Sequence, residues 1–172
     1  TLIIPVYKGK KYMKEAIDSA LAQTYDNLEI LVINDGSPDS GETDKIARSY
    51  GDKIKYILKE NGGVSTVLNL AIKEMSGEYF SWLSHDDVYY PEKIEENINY
   101  LIENNLIGKK VVLYSDYELI DKNSNHLNYG IKDHEMLEEK PEYALLRGAV
   151  NGITLLIPKM AFDESGYFNE TL

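Results

Sequence analysis

The stretch LEILVINDGS at residues 28–37 passes from a β-rich run directly into a dense turn signal. Its first part, residues 28–33, is an apolar run rather than a strict alternation of apolar and polar side chains. Such a run is typical of a strand buried on both faces in a parallel sheet. The following residues 34–38, NDGSP, favour a turn. The stretch therefore predicts a central strand that ends at a polar loop carrying Asp35.

The same order of a short β-rich run and a helical pattern recurs on both sides of this stretch. Further strands are predicted at residues 2–6, 54–58 and 78–83, and helices at residues 12–21, 39–50, 64–75 and 91–102. Asp39 and Glu42 resemble a capping box, and Pro91 suits a helix start. Repeated β-α units predict an α/β fold with an open, mostly parallel, twisted sheet and helices on both faces, as in Rossmann-like folds.

The chain changes in character after about residue 108. A fifth strand is predicted at Val111–Asp116, whereas the polar stretch from Asp121 to Glu139 predicts a hairpin or a mobile loop. Residues 141–147 are compatible with a short helix. Residues 152–157 predict another strand before Pro158.

The composition narrows the function classes. The 172 residues, 43% of them hydrophobic, suffice for one globular domain, and no apolar run is long enough to cross a bilayer. The absence of cysteine excludes disulfides, thiolate metal sites and cysteine nucleophiles. The net charge of -11 argues against a nucleic-acid partner, so an anionic ligand needs help from helix N-termini or a divalent cation. Because the chain starts at Thr1 without an initiator methionine, we expect that both ends of a longer protein are missing.

Polar residues follow the predicted strands at the sheet edge where ligands of such folds bind. The strand ends carry Pro5-Val6-Tyr7, Asp35, Asn61-Gly62-Gly63 and His85-Asp86-Asp87. Asp86 and Asp87 are candidates for Mg²⁺ or Mn²⁺, which take one or two protein carboxylates plus substrate phosphates. Alternatively, Asp87 caps the helix near Pro91. His85 could contact the metal or a phosphate, or be merely solvated.

Asp35 and the glycine pair each allow two interpretations. The Asp35 carboxylate could accept a hydrogen bond from a base or a ribose, or form an Asx-turn. Gly62 and Gly63, which precede a predicted helix, could hold a phosphate with their N–H groups, although a plain loop fits as well. The sequence contains no Ser-His-Asp order, His-Glu-x-x-His helix or Walker-type loop.

Taken together, these segments resemble the inverting family 2 glycosyltransferases of the GT-A fold. The segments that carry the resemblance in order and spacing are Pro5-Val6-Tyr7, Gln23-Thr24-Tyr25, Ile33 to Ser37, Glu60 to Ser65, Gly77-Glu78-Tyr79, Leu83 to Asp87 and Gly166 to Glu170. The resemblance implies a single GT-A domain fragment over residues 1–172, truncated C-terminally. Residues 1–108 would bind the nucleotide sugar, and residues 109–172 would begin the acceptor-side part.

The resemblance also implies roles for particular residues. Pro5-Val6-Tyr7 would line the pocket for the base and the ribose, and Asp35 would bind the base, usually uracil. Asn61 would lie on the donor side as well, and Asp116 would lie near the donor sugar. Asp86 would coordinate a divalent metal cofactor, Mn²⁺ or Mg²⁺.

Two positions depart from the family pattern. The family usually has Asp-x-Asp-Asp where this chain has Ser84-His85-Asp86-Asp87, so the metal would rest on Asp86 alone. In the third helix an Arg commonly precedes the Asn, whereas Leu68 precedes Asn69 here. We therefore expect one phosphate or base contact of the family to be missing.

The chemistry implied by the resemblance is a single displacement that inverts the anomeric carbon. A base deprotonates the acceptor hydroxyl, and the cation stabilises the charge that develops on the leaving nucleoside diphosphate. In the family this base is an Asp or Glu somewhat after the segment that corresponds to Gly166–Glu170. We therefore expect the catalytic base beyond Leu172. The polar stretch at residues 121–139 would be an acceptor-side loop.

The resulting hypothesis is a bacterial enzyme that moves a sugar from a UDP-linked donor to a glycan or lipid-linked acceptor in polysaccharide or cell-envelope synthesis. It would work in the cytoplasm, and peripheral association with the inner face of the membrane through missing segments stays open. Two alternatives remain. The first is a nucleotide-sugar-binding module without turnover, which the absence of an acidic pair shortly after Leu172 would favour. The second is a sugar nucleotidyltransferase, although the loop after the first strand lacks the Gly-rich, basic pattern of that class.

Overall fold

The computed structural model describes residues 1–131, 133–140, 142–146 and 150–171. Its strands are β1 (Leu2–Val6), β2 (Ile30–Asp35), β3 (Lys55–Lys59), β4 (Tyr79–Trp82), β5 (Tyr117–Ile120), β6 (His126–Gly130) and β7 (Leu156–Pro158). Its α-helices are α1 (Met13–Leu21), α2 (Glu42–Arg48), α3 (Val64–Glu74), α4 (Lys93–Glu103), α5 (His134–Glu139), α6 (Tyr143–Leu146) and α7 (Met160–Ser165). Short 3₁₀ turns lie at Gly9–Lys11, Gly51–Lys53 and Gly152–Thr154.

The central sheet has the strand order β3-β2-β1-β4-β7. β1 pairs in parallel with β2 and β4, and β2 pairs in parallel with β3. The edge strand β7 runs antiparallel to β4, and β5 and β6 form a separate hairpin. The chain moves outward from β1 to β3 and then returns to β4 on the other side of β1, which creates a switch point with a crevice at the carboxyl ends of the strands. The predicted α/β sheet, open and mostly parallel, is confirmed.

Side chains of the central strands pack alternately against helices on the two faces of the sheet. On one face Ile4 lies in a buried cluster with Ile17 of α1. On the other face Ile3 lies in a buried cluster with Leu68 of α3. Every residue of β1 and β2 is buried, as the apolar run predicted. Full burial of one such aliphatic side chain contributes about 1.5–3 kcal/mol, so this double-sided packing stabilises the sheet.

The strand β2 extends past its predicted end at Ile33 and includes Asp35. The turn begins instead at Gly36, whose φ of 63° lies in the left-handed region. A Cβ atom at Gly36 would lie 2.7 Å from the backbone nitrogen of Asn61. Glycine therefore lets β2 end in close contact with the loop that follows β3.

The prediction of a strand at Val111–Asp116 is wrong. These residues make one isolated bridge, from Leu113 to Leu156. The place beside β4 is taken by β7, which pairs Leu156–Pro158 with Tyr79–Ser81. The strand predicted at residues 152–157 is correspondingly split into a 3₁₀ turn and β7.

The capping box predicted for α2 is also wrong. The helix begins at Glu42 after Gly41, which has a φ of 83° and makes no side-chain cap. Asp39 instead accepts hydrogen bonds from the backbone N–H and the hydroxyl of Thr43. Pro91 likewise lies before the N-cap of α4, and its carbonyl accepts the N–H of Thr24. Asp39 therefore satisfies an N–H of the first turn of α2 from outside the helix, whereas Pro91 connects the start of α4 to the segment after α1.

The second half of the chain contains the predicted hairpin, but it begins before the predicted stretch at residues 121–139, and the end of that stretch is helical. It is formed by β5 and β6, and α5 follows it. The helix predicted at residues 141–147 is present as α6, while Pro141 and Arg147 lie outside the described residues. In the part of the chain that the structure describes, no helix is long and apolar enough to cross a membrane.

Candidate functional site

The carboxyl ends of β1, β2 and β4 border a cavity of about 200 Å³, which we call the small cavity. It is lined by Pro5, Val6, Tyr7, Asp35, Val64, Val67, Trp82, Ser84, His85 and Asp86. The residues predicted from three different strand ends therefore lie together. Val64, the first residue of α3, is 50% exposed and also lines this cavity.

Asp35 is held by the loop that follows β3. Its carboxylate is buried, and Oδ1 accepts hydrogen bonds from Lys59 Nζ at 2.6 Å and from the Gly62 N–H at 3.0 Å. Oδ2 accepts from the Asn61 side-chain amide at 3.1 Å and from the Gly63 N–H at 2.8 Å. A carboxylate offers about four lone-pair sites, so this one is saturated by the protein itself.

These contacts decide between the interpretations left open by the sequence. Gly62 and Gly63 direct their N–H groups to Asp35, so these groups are not available as a phosphate cradle. The turn is hydrogen-bonded by the side chain of Asn34 instead of Asp35, because Asn34 Oδ1 accepts the Ser37 N–H at 3.0 Å and the Ser37 hydroxyl at 2.7 Å. Asp35 therefore anchors the loop before α3 beside the small cavity.

Lys59 belongs to this cluster and was missed by the sequence interpretation. Its Nζ also donates to the Glu60 carbonyl at 2.6 Å and to the Thr66 hydroxyl at 2.9 Å, and its side chain is 20% exposed. Lys59 is paired in register with Asp35 on the adjacent parallel strand. The sequence offered no signal for this ion pair, because the register of two strands is not determined by the pattern within either of them.

Asp86 and Asp87 face different cavities. They follow β4 in a turn in which the Asp87 N–H donates to the Ser84 carbonyl at 3.1 Å. Asp86 is exposed and lines the small cavity, whereas half-buried Asp87 lines a larger cavity of about 590 Å³. Burial, followed by the charge of Asp86, raises the pKa of the Asp87 carboxyl. The alternative that Asp87 caps α4 is wrong, because this helix has Glu92 as its N-cap and no side-chain cap.

A divalent cation fits the edge of the small cavity on the chemistry of its donors. Asp86 offers carboxylate oxygens, the ligands that Mn²⁺ and Mg²⁺ prefer, and His85 lies beside it. Within the described ranges, no group of three or more His, Cys, Asp or Glu side chains is arranged to hold a metal ion. An ion bound here would therefore need the phosphate oxygens of a nucleotide to complete its coordination.

Asp116 and Asn61 lie away from the centre of the small cavity. Asp116 lines the larger cavity with Asp87, and its carboxylate lies 3.2 Å from Nε2 of His134. Asn61 reaches the small cavity through Asp35, donating to its backbone carbonyl at 2.9 Å as well as to its carboxylate. Asp116 therefore lies in the larger cavity, which is lined in part by the second half of the chain.

Lys93 lies in the wall of the larger cavity and was also missed by the sequence interpretation. Its Nζ donates to the Ser81 hydroxyl at 3.1 Å and lies 4.6 Å from the centroid of the Tyr89 ring. Among the ion pairs of the described residues, none involves Lys93. Burial lowers the pKa of Lys93 to about 7.

Because of Lys93, we expect the stability of the protein to rise with pH above neutrality. The pKa of Lys93 is 10.5 without burial and about 7 in the fold, so unfolding takes up a proton between these values. The unfolding free energy should then increase by up to about 1.4 kcal/mol per pH unit in this window. Lys93→Met should flatten the rise in urea unfolding measured over this range, whereas Lys73→Met, at an exposed position, should retain it. Equal slopes for Lys93→Met and the parent protein would contradict the assignment.

The segment Gly166–Glu170 docks onto α3 through Asn69. The Asn69 amide donates to the Phe168 carbonyl at 2.9 Å and to the Glu170 carboxylate at 2.7 Å, and its Oδ1 accepts the Phe168 N–H at 2.8 Å. The preceding residue, Leu68, is 1% exposed in the core. Position 68 therefore supplies packing rather than a contact to a ligand in the small cavity.

Comparison with known proteins gives a consistent picture. The sequence model described as glycosyl transferase family 2 matches residues 1–161. A relative from Rickettsia felis, described as an uncharacterized glycosyltransferase, is 55% identical over 100% of this chain. The chain spans 29% of the length of that relative.

Two solved structures resemble the whole chain. S. aureus TarS 1-349 in complex with UDP has a TM-score of 0.69 and 22% identity, over 99% of this chain and 50% of that chain. The mannosyltransferase PcManGT from Pyrobaculum calidifontis, in complex with GDP-Man and Mn²⁺, has a TM-score of 0.66 and 17% identity, over 99% and 47%. At this identity the likeness shows the fold alone, and the GT-A type predicted from the sequence is confirmed.

Proposed function

Because this chain belongs to glycosyl transferase family 2, we propose that the protein transfers a sugar from a UDP-linked donor to a glycan or lipid-linked acceptor with inversion. The observation that carries the proposal is the small cavity, where Pro5-Val6-Tyr7, Asp35 and Asp86 meet at the carboxyl edge of the sheet. An apolar wall beside a buried carboxylate suits a base and its ribose, and the exposed carboxylate suits a cation bound to the diphosphate.

The donor nucleotide would enter between β1 and α3. Tyr7, which is 41% exposed, would offer its ring to the base or the ribose, and Val64 would cover the other side. The Asp35 carboxylate can accept a base N–H only if one of its present donors yields. The Asn61 amide is the longest of these contacts at 3.1 Å, so we expect Asn61 to give way and to bind the nucleotide itself.

A divalent cation would bind between Asp86 and the phosphates of the donor. Such an ion neutralises the charge that develops on a leaving nucleoside diphosphate. The presence of UDP in the TarS complex and of Mn²⁺ in the PcManGT complex supports this choice of nucleotide and metal. In this proposal residues 1–108 bind the donor, residues 109–172 begin the acceptor side, and the catalytic base lies beyond Leu172. We also propose that the protein acts in the cytoplasm, at the inner face of the membrane.

Calorimetric titration of UDP with and without Mn²⁺ tests the donor site. We expect Mn²⁺ to tighten UDP binding at least tenfold, or by about 1.4 kcal/mol, because the ion bridges Asp86 and the diphosphate. UMP is the matched control, since without a second phosphate it should respond much less to the metal. UDP binding that is absent, or indifferent to Mn²⁺, would reject the proposed site.

Turnover distinguishes an enzyme from a nucleotide-sugar-binding module. Because the catalytic base is proposed to lie beyond Leu172, UDP release from UDP-glucose and UDP-N-acetylglucosamine should be measured with a form of the protein that extends past Leu172, in the presence of Mn²⁺. Tight binding of both UDP sugars without release of UDP, even with glycan acceptors added, would favour the binding module.

A further inference from the structure

The larger cavity, of about 590 Å³, lies between the segment that leads from β4 into α4 and the β5–β6 hairpin. Its volume falls within the roughly 300–1,000 Å³ that is usual for small-molecule sites. It adjoins the small cavity, because the consecutive residues Asp86 and Asp87 each line a different one. A sugar that is transferred from phosphates bound at Asp86 would therefore meet the ligand that occupies the larger cavity.

Aromatic rings form much of the wall of this cavity. Tyr90 and Tyr129 line it although they are 64% and 61% exposed, and the ring centroids of Tyr129 and His126 lie 4.5 Å apart. Exposed aromatic faces with polar neighbours suit a ligand that is apolar on its faces and polar at its edge. A pyranose ring has this character, since its faces carry C–H groups and its edge carries hydroxyls.

The charged groups of the cavity favour a neutral ligand. Asp87, Asp116 and Glu118 all line it, against the single ammonium of Lys93 and the imidazole of His126. The lining is therefore negative on balance even when His126 is protonated, and a phosphate placed there would be repelled. Carboxylates accept hydrogen bonds from hydroxyls, and Lys93, which has no ion-pair partner among the described residues, can donate to one.

Side-chain contacts of Glu118 link the hairpin to the other wall of this cavity. The Glu118 carboxylate of β5 accepts the hydroxyl of Tyr90 and is hydrogen-bonded to Nδ1 of His126 on β6. The first contact joins β5 to the segment before α4, and the second joins the two strands of the hairpin to each other. The aromatic and charged walls are thus held together by the fold itself.

We propose that the larger cavity is the acceptor site and that it selects an uncharged pyranose ring over a phosphorylated one. This inference rests on the proposed function, because an acceptor is meaningful only beside a bound donor. Tyr129 and Tyr90 stack on the sugar, and the carboxylates and Lys93 bind its hydroxyls.

The test is a ¹⁵N NMR titration of the protein, with UDP and Mg²⁺ present, using glucose, galactose, N-acetylglucosamine and their 6-phosphates. We expect at least one neutral sugar to shift amide signals of residues 87–93 and 117–129 while leaving those of residues 59–63 unchanged. The corresponding 6-phosphate should bind at least tenfold more weakly.

Variants assign the contact to the cavity. Tyr129→Ala should weaken binding of the neutral sugar about tenfold, the scale of losing one aromatic face. Tyr100→Ala is the matched control, because Tyr100 is 53% exposed on α4 and is not among the residues that line the cavity. Both variants should bind UDP as the parent protein does.

Three results would overturn the inference. No shift in the cavity with any neutral sugar removes the acceptor site, and equal binding of a 6-phosphate removes the selectivity. A Tyr129→Ala variant that weakens UDP-N-acetylglucosamine relative to UDP, but not the free sugar, would assign the cavity to the donor sugar instead. Loss of UDP binding with the sugar shifts intact would count against the proposed function alone.

Discussion

Asp35→Ala is expected to lower the unfolding free energy of the protein by about 3–5 kcal/mol, the range found when one partner of a buried ion pair is removed. The Asp35 carboxylate is 4% exposed and is the acceptor for Lys59 and for the Gly62 and Gly63 N–H groups. All of these donors would lose a partner. Urea denaturation at neutral pH measures the effect, and Asp26→Ala, at an exposed position, should stay within about 0.5 kcal/mol of the parent. An unchanged urea midpoint for Asp35→Ala would contradict the role of this cluster.

A double variant separates the destabilisation caused by an unpaired charge from that caused by the lost loop contacts. Asp35→Ala combined with Lys59→Met should be more stable than Asp35→Ala alone, because no partly buried ammonium is left without a counter-charge. If the effects of the two substitutions on the unfolding free energy are additive, the destabilisation by Asp35→Ala comes from the lost loop contacts and not from the unpaired ammonium. Where Asp35→Ala is still folded, we expect UDP to bind about 1–3 kcal/mol more weakly, the scale of one unpaired buried group.

The Asp35 cluster shows what the sequence could and could not predict. The β-rich run and the turn signal after it were sufficient to place Asp35 at the ligand edge of the sheet. Its partners come from residues 24 to 28 positions further along the chain. That convergence depends on the register of β2 against β3, which a pattern within one strand does not determine.

The edge of the sheet illustrates the same limit. Val111–Asp116 and the segment at residues 152–157 both contain β-branched and other apolar residues, so composition alone favours either as the partner of β4. The choice depends on contacts between distant segments, such as Phe80 of β4 with Ile157 of β7. Periodicity therefore predicted the parallel core of the fold, where each strand is followed by a helix, and failed at its antiparallel edge.

The larger cavity could not be predicted from the sequence for a further reason. Its residues come from three separate regions, and Lys93 reads in the sequence as an ordinary surface position of an amphipathic helix. The fold buries Lys93 because the side chain passes beside the Tyr89 ring to reach Ser81. Only the packing of α4 against β4 makes this lysine part of a site.

Asp86→Ala is expected to abolish the metal dependence of UDP binding. Ser84 stands where the resemblance implies a further carboxylate, so Asp86 is the carboxylate of this turn that lines the small cavity. UDP affinity in Mn²⁺ should therefore fall to the metal-free level, a loss of at least about 1.4 kcal/mol. Turnover should fall about 10²-fold or more, since charge on the leaving group is no longer neutralised. Electron paramagnetic resonance of Mn²⁺ with UDP present measures the bound metal directly.

Two neighbouring substitutions sharpen this prediction. Asp87→Asn should retain Mn²⁺ and UDP affinity, because Asp87 faces the larger cavity rather than the small one. Ser84→Asp should tighten Mn²⁺ binding, because Ser84 lines the small cavity with Asp86 and a second carboxylate there could join the coordination shell. If Asp86→Ala leaves the metal dependence intact while Asp87→Asn removes it, the ion is bound from the larger cavity. The donor diphosphate would then have to cross the acidic pair, and the assignment of the two cavities would be reversed.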